Sequence, residues 1–164
     1  MTVIDSGAVL VLGAGKYQLP MIEAIHRRNL RCVAFDGDAN APGLTVADEG
    51  RVIDISDPAR VLEAARAVRP AAVVTIVAEV AVRTAAQVTT ALGLPGLSPE
   101  VALAATDKFV MREQFQAAGL PCPKFRRLES QDDVALAAEV GFPLVVKPTD
   151  SSGSRGVRRV DKPD

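Results

Sequence analysis

Residues 8–37, AVLVLGAGKYQLPMIEAIHRRNLRCVAFDG, decide the fold of this chain. Ala8–Leu12 is an unbroken apolar run of strand length, cut by Gly13-Ala14-Gly15. A strand of that kind is expected to be buried on both faces. A helix is expected from Tyr17 to Arg28, with Tyr17, Met21, Ile22 and Ile25 on its apolar side and Glu23 and Arg27 facing away. Pro20 suits this helix only in the first turn, where its missing N–H has no helical partner to lose. Arg31–Phe35 then reads as a second strand, closed by Asp36-Gly37-Asp38.

The alternation continues outward from there. A polar loop with Pro42 and Gly43 leads to a short strand near Arg51–Ile55. Asp57 and Pro58 open a helix as cap and first helical residue, with Val61, Leu62, Ala65 and Val68 on one side. Pro70 stops it; Ala72–Val77 is a strand, Val80–Leu92 a helix, and Leu94–Leu97 a tight connection with a brief strand. Strands alternating with helices, each strand continuously apolar, give an α/β fold with an open parallel sheet. The pattern changes near Ser98-Pro99. Helices are expected over Pro99–Ala105 and Asp107–Ala118, the latter stopped by Gly119 and Pro121. A strand is expected over Lys124–Leu128 and a helix over Ser130–Val140, with Ser130 as cap and Asp132 and Asp133 in its first turn. Leu144–Lys147 reads as a strand that Val157–Val160 can join as a hairpin. One domain is therefore expected over residues 1–97, and the start of a second over 98–164.

Composition narrows the function classes. Of 164 residues, 48% are hydrophobic, enough for a buried core, and the net charge of -1 leaves no electrostatic footprint for nucleic acid. No apolar run is long enough to span a bilayer, and MTVIDSG lacks the basic-then-apolar pattern of a secretory signal. Cys32 and Cys122 stand too far apart for a metal knuckle, and the lone His26 rules out a histidine pair within one chain. A cytoplasmic location is expected.

Four places carry chemistry. Gly13-Ala14-Gly15 joins the first strand to the first helix, where backbone amides can meet an anion, although Gln18 stands where a dinucleotide fingerprint has its third glycine. The glycines serve equally well for a tight turn alone. Asp36 and Glu79 end other strands, and ligands of open parallel sheets collect at strand ends. Lys108 borders the apolar arc of Val110, Met111, Phe115 and Ala118. Lys147 ends an apolar strand and precedes Ser151, Ser152, Gly153, Ser154, Arg155 and Gly156, a loop rich in small residues, hydroxyls and one fixed charge. A Walker loop has the reverse order, glycines before lysine. A lysine followed by such a loop suits nucleotide phosphates.

These segments resemble the ATP-grasp enzymes over nearly the whole chain. VLVLGAGKYQLPMIEA is similar to the start of their preceding Rossmann-like α/β domain, SPEVALAATDKFVMREQFQAAGLPCPKF to their linker and the opening of the nucleotide domain, and LVVKPTDSSGSRGV to the nucleotide strand and phosphate loop. The resemblance implies a pre-ATP-grasp domain followed by a truncated α+β ATP-grasp subdomain. It implies that Lys108 and Lys147 bind ATP phosphates, that Ser152, Gly153 and Ser154 close over them, and that Gly15, Asp36 and Glu79 bind substrate. The implied chemistry is that of carboxylate–amine ligases and carbamoyl-phosphate synthase: ATP and magnesium convert a carboxylate or bicarbonate to an acyl phosphate that an amine captures. The family's adenine grip and magnesium ligands lie on later segments. This chain alone is therefore expected to bind ATP weakly, if at all, and to turn nothing over. Two other classes stay open: a dinucleotide-binding module, and a non-catalytic scaffold that forms a homodimer through the α/β domain.

Overall fold

The computed structural model describes residues 7–130 and 133–162. Strand β1 (Val9–Leu12) lies between β2 (Cys32–Asp36) and β4 (Ala72–Val74), and β3 (Glu49–Val52) joins the outer edge of β2. Every pairing in the order β3-β2-β1-β4 is parallel. Helix α1 (Leu19–His26) connects β1 to β2, the single turn α2 (Gly43–Val46) precedes β3, and α3 (Pro58–Val68) precedes β4. Helix α4 (Glu79–Leu92) follows β4.

Side chains alternate across the sheet, as the pleat requires. Leu10 and Leu12 of β1 and Val33 and Phe35 of β2 pack with Val61 and Ala65 of α3 and Ala81 and Val88 of α4. Val11, Cys32 and Ala34 point the other way, onto Ile22 and Ile25 of α1. Both faces are thus covered, and the apolar runs of β1 and β2 need no polar interruptions. Asp57 caps α3 as the sequence requires, its carboxylate accepting from the amides of Ala59 and Arg60.

The chain forms two compact units, a first that runs to Ala102 and a second that begins at Leu103. The division falls within α5 (Pro99–Thr106). In the second unit, α6 (Lys108–Ala117) is capped by the Asp107 carboxylate, which accepts from the amides of Phe109 and Val110. A single turn α7 (Val134–Ala137) follows, and then β5 (Leu144–Val146) pairs antiparallel with β6 (Arg158–Val160), Leu144 opposite Val160.

Several expectations need correction. Helix α1 starts at Leu19, after a turn over Gly15–Gln18, so Tyr17 is not on its buried side but is 62% exposed. Lys124–Leu128 pairs with no strand among the described residues, and neither does Leu97. The helix expected over Ser130–Val140 is one α-turn in its described part, and Asp132 lies outside the described residues. Ser130 does not cap it. The Asp133 carboxylate instead accepts from the amides of Glu129 and Ser130, so this acid organises the turn before the helix. No described helix is long and apolar enough to cross a membrane.

Candidate functional site

The second unit holds a cavity of about 840 Å³. Its apolar lining comprises Phe109, Phe125, Leu128, Val140 and the β5 residues Leu144, Val145 and Val146. Phe109 meets Phe125 edge to face at 5.6 Å, which fixes both rings. Seven cations also line the cavity: Lys108, Arg112, Lys124, Arg126, Arg127, Lys147 and Arg159. Among the described residues no aspartate or glutamate lines it. Three of the arginines lean on acids outside the lining, Arg126 on Glu139 at 2.9 Å, Arg127 on Glu129 at 3.4 Å and Arg159 on Asp161 at 2.7 Å. The Arg127 guanidinium also lies over the Phe109 ring at 5.6 Å. An apolar lining shared with seven cations suits a ring carrying several negative charges.

Lys108 and Lys147, expected to act together, do line this one cavity. Lys108 sits at the start of α6 because Asp107 must precede it as cap. Its Nζ donates to the Ser151 carbonyl at 2.6 Å and lies 3.5 Å from that of Thr149, while its backbone amide donates to Thr149 O at 2.8 Å. The lysine thereby anchors the base of the loop that follows Lys147. The loop itself supplies Pro148 and Thr149 to the lining; Ser151, Ser152, Gly153, Ser154, Arg155 and Gly156 lie outside it. Gly153, Ser154 and Gly156 are left-handed, with φ of 65°, 59° and 73°. A side chain at Gly156 would press on Pro148, so glycine there lets the loop fold back on its own base. Arg155 turns inward on the loop, its Nε donating to Ser152 O at 3.2 Å.

Gly15, Asp36 and Glu79 lie towards the carboxyl end of the first unit's sheet: Gly15 on the turn after β1, Asp36 as the last residue of β2 and Glu79 as the first residue of α4, which follows β4. Asp36 is committed to the backbone: Oδ2 accepts from Ala14 N at 2.6 Å and Oδ1 from Asp38 N at 2.9 Å. It ties the first turn to the second. Gln18 ties the first turn to the β4 end, its Nε2 donating to Ile76 O at 2.5 Å. Val77, beside it, is left-handed at φ 55° and 74% exposed, a costly state for a β-branched residue. Among the described residues no cluster of His, Cys, Asp and Glu is set to hold a metal ion.

Sequence reading missed five of the seven cavity cations and both phenylalanines. Lys124, Phe125, Arg126, Arg127 and Leu128 were legible as an apolar–basic mixture, but reading them as a strand hid that extended backbone can present successive side chains to one space.

No protein-family model matches the chain. It is 33% identical over 161 residues to the formate-dependent phosphoribosylglycinamide formyltransferase of Rhodococcus jostii, covering 94% of this chain and 40% of that protein. Among solved structures it resembles phosphoribosylglycinamide synthetase from Anaerococcus prevotii, with 26% identity and a TM-score of 0.73 over 96% of this chain and 39% of the other. The fold also matches N5-carboxyaminoimidazole synthetase from Staphylococcus aureus complexed with ADP, with a TM-score of 0.79 at 14% identity over 95% of this chain and 42% of the other. The chain spans about 40% of the length of the curated relatives it matches.

Proposed function

We propose, for a chain that shares the N-terminal portion of the ATP-grasp superfamily, that it serves an ATP-dependent ligase which activates a carboxylate or bicarbonate as an acyl phosphate for capture by an amine. The observation that carries this reading is the cavity of the second unit, with Lys108, Lys147 and five arginine and lysine neighbours and no described acid in its lining. Phosphoryl transfer depends chiefly on positioning and charge neutralisation. Lys147 supplies a mobile point charge at the end of β5. Lys108 has three donors, of which the Ser151 and Thr149 carbonyls engage two at most, so it holds the loop and keeps one N–H for a phosphate oxygen. The loop Ser151–Gly156 closes over the phosphates through its amides and hydroxyls. The apolar part of the lining, Phe109, Phe125 and β5, takes the adenine.

The described residues do not fit magnesium, since no carboxylate among them lines the cavity and no acidic cluster stands elsewhere. No step is therefore assigned to it on this chain. Gly15 and Glu79 face substrate at the strand-end rim, and Asp36 shapes that rim.

The chain of 164 residues, titrated with ATP and followed by phosphorus NMR, is expected to bind weakly, with affinity falling as salt screens the cavity cations. Lys147→Ala is expected to weaken binding about tenfold, the scale of one charge-assisted hydrogen bond. Binding that ignores both salt and Lys147→Ala would overturn the reading. Robust magnesium-dependent hydrolysis by this chain alone would overturn the division of labour.

A further inference from the structure

The loop Ser151–Gly156 is tied at its base, and the tie comes from α6. The first four N–H groups of a helix have no partner within it. In α6 the Asp107 carboxylate takes those of Phe109 and Val110, and the Thr149 carbonyl takes that of Lys108 at 2.8 Å. The base of the loop is thereby part of the cap of the helix. The Lys108 side chain returns to the same stretch, its Nζ donating to the Ser151 carbonyl at 2.6 Å. This is a charge-assisted bond, shorter than the neutral mode of about 2.9–3.0 Å. The loop's own bonds are longer: Arg155 N donates to Ser152 O at 3.4 Å and Val157 N to Ser154 O at 3.3 Å. Lys147, by contrast, is exposed, and its Nζ has no partner among the described residues.

The other end of the loop is held by shape. Gly156 is left-handed at φ 73°, and a Cβ there would stand 2.9 Å from Pro148 Cγ and 3.1 Å from Pro148 Cδ. Its backbone is thus packed on the proline ring with no room for a side chain. Between the two holds lies a preformed turn. Gly153 and Ser154 both have positive φ, 65° and 59°, and Arg155 N closes back on Ser152 O, as in the mirror-image turns of hairpins. Arg155 Nε adds a second bond to the same carbonyl at 3.2 Å. A turn closed on itself between two fixed points moves as one piece.

We propose that the loop is a hinged flap in which Ser152–Arg155 swings as a unit about hinges at Ser151 and Gly156, and that Lys108 is the positioning residue of the first hinge. The proposal rests on the ligase reading for what the flap covers, a polyphosphate; the hinges rest on the contacts of Lys108 and Gly156 alone. It gives the two cavity lysines unequal work. Lys147 offers charge. Lys108 offers charge and also sets where the flap starts, so its third N–H meets a phosphate oxygen at a fixed place relative to the flap's amides. Binding then depends on Lys108 by more than its charge, because without its hold the phosphate has to order the flap itself.

Backbone nitrogen relaxation by NMR, on the labelled 164-residue chain with no ligand added, tests the hinges. Lys108→Met keeps the stem and removes the donor. The order parameter at Ser151 is expected to fall from roughly 0.85 to below about 0.6 in this variant and to stay unchanged in Lys147→Met. Gly156→Ala is expected to loosen the far hinge while Ser151 holds. No fall at Ser151 in Lys108→Met, or an equal fall in Lys147→Met, overturns the proposal. Where Lys108→Met fails to fold, the unaltered chain decides. With labelled lysine, the Lys108 ammonium protons must exchange with water about tenfold more slowly than those of Lys147, the scale of one charge-assisted hydrogen bond, and equal rates overturn the proposal. Inorganic pyrophosphate then separates the flap from the ligase reading. Lys108→Met should bind it about tenfold more weakly than Lys147→Met does, although each variant loses one charge. Equal weakening overturns the positioning role. Where pyrophosphate does not bind the unaltered chain while Ser151 is released in Lys108→Met, the ligase cavity fails and the hinge stands.

Discussion

Leu10 and Phe35 of the first unit are wholly buried between sheet and helices, whereas Val145 and Val146 of the second stand largely exposed on a two-stranded hairpin. Among the described residues beyond Leu103, Leu144 is the one apolar side chain that is buried. The difference follows from layers. Four parallel strands with helices on both faces enclose two sets of alternating side chains, while two strands alone enclose none. Stability is therefore concentrated in the first unit, and the second gathers seven cations around an open cavity, where mutual repulsion favours a polyanion and opposes tight packing. The unit that holds the strand-end rim is the more deeply buried, and the unit that holds Lys108 and Lys147 is the more exposed.

The contrast is broken most severely from inside the first core. Phe35→Ala is expected to cost about 3–5 kcal/mol, measured by urea unfolding followed by far-ultraviolet dichroism. A loss below about 1 kcal/mol would show that the first unit is no better packed than the second. Gly43→Ala comes next. Its Cβ would stand 2.7 Å from both Ala14 O and Ile22 Cδ1, and overpacking against backbone costs roughly 1–3 kcal/mol. Asp36→Ala strips two amides of their acceptor at the rim and is expected to cost about 1–3 kcal/mol, with Asp36→Asn costing less because one carbonyl oxygen is kept.

A fourth experiment uses pH. Burial in the first unit, helped by the Asp48 carboxylate, pushes the Cys32 thiol from 9.0 up to about 11. Above pH 9.0 the unfolded chain releases this proton while the folded chain keeps it, so the stability is whole below pH 9.0 and declines as pH rises to about 11. Cys32→Ala should flatten that alkaline limb in unfolding measured across the range; an unchanged slope would refute the burial. Asp48 acts at the acid end. The Cys32 amide and His26 hold its carboxyl below the ordinary range, so its contribution is present above that range and fades as pH falls. The smallest effect belongs to the second unit: Val145→Ser on the exposed hairpin is expected to change stability by less than about 0.5 kcal/mol. A larger loss would mean that the hairpin is covered in solution.

Elements whose signals are local were legible. Asp57 caps its helix as its position requires, because capping involves only the next three residues; Asp107, expected as the first helical residue, is a cap as well. The strands β1 and β2 were legible because continuous apolar runs admit few other readings. Tyr17 was misplaced because helical periodicity extends a helix backward until something breaks it, and the break here is the Gly15–Gln18 turn. The strand expected at Lys124–Leu128 failed for the opposite reason: β structure needs a partner, and no described strand lies beside it. Lys108 and Lys147 were found as a pair, but their meeting in one cavity depends on the antiparallel return of β6 and on the loop that Lys108 anchors.

Residue order by itself determined the alternation of strands and helices in the first unit, the Asp57 cap and the lysine-before-loop motif, since each is written within a few neighbouring positions. Tertiary structure alone decided which charges share a space and which polar atoms are spent. Asp36 became a backbone clamp and Gln18 a tie to the β4 end through partners 22 and 58 residues away. Hydrogen bonds over such separations are fixed by the packing of the sheet, and no local pattern in the chain encodes them.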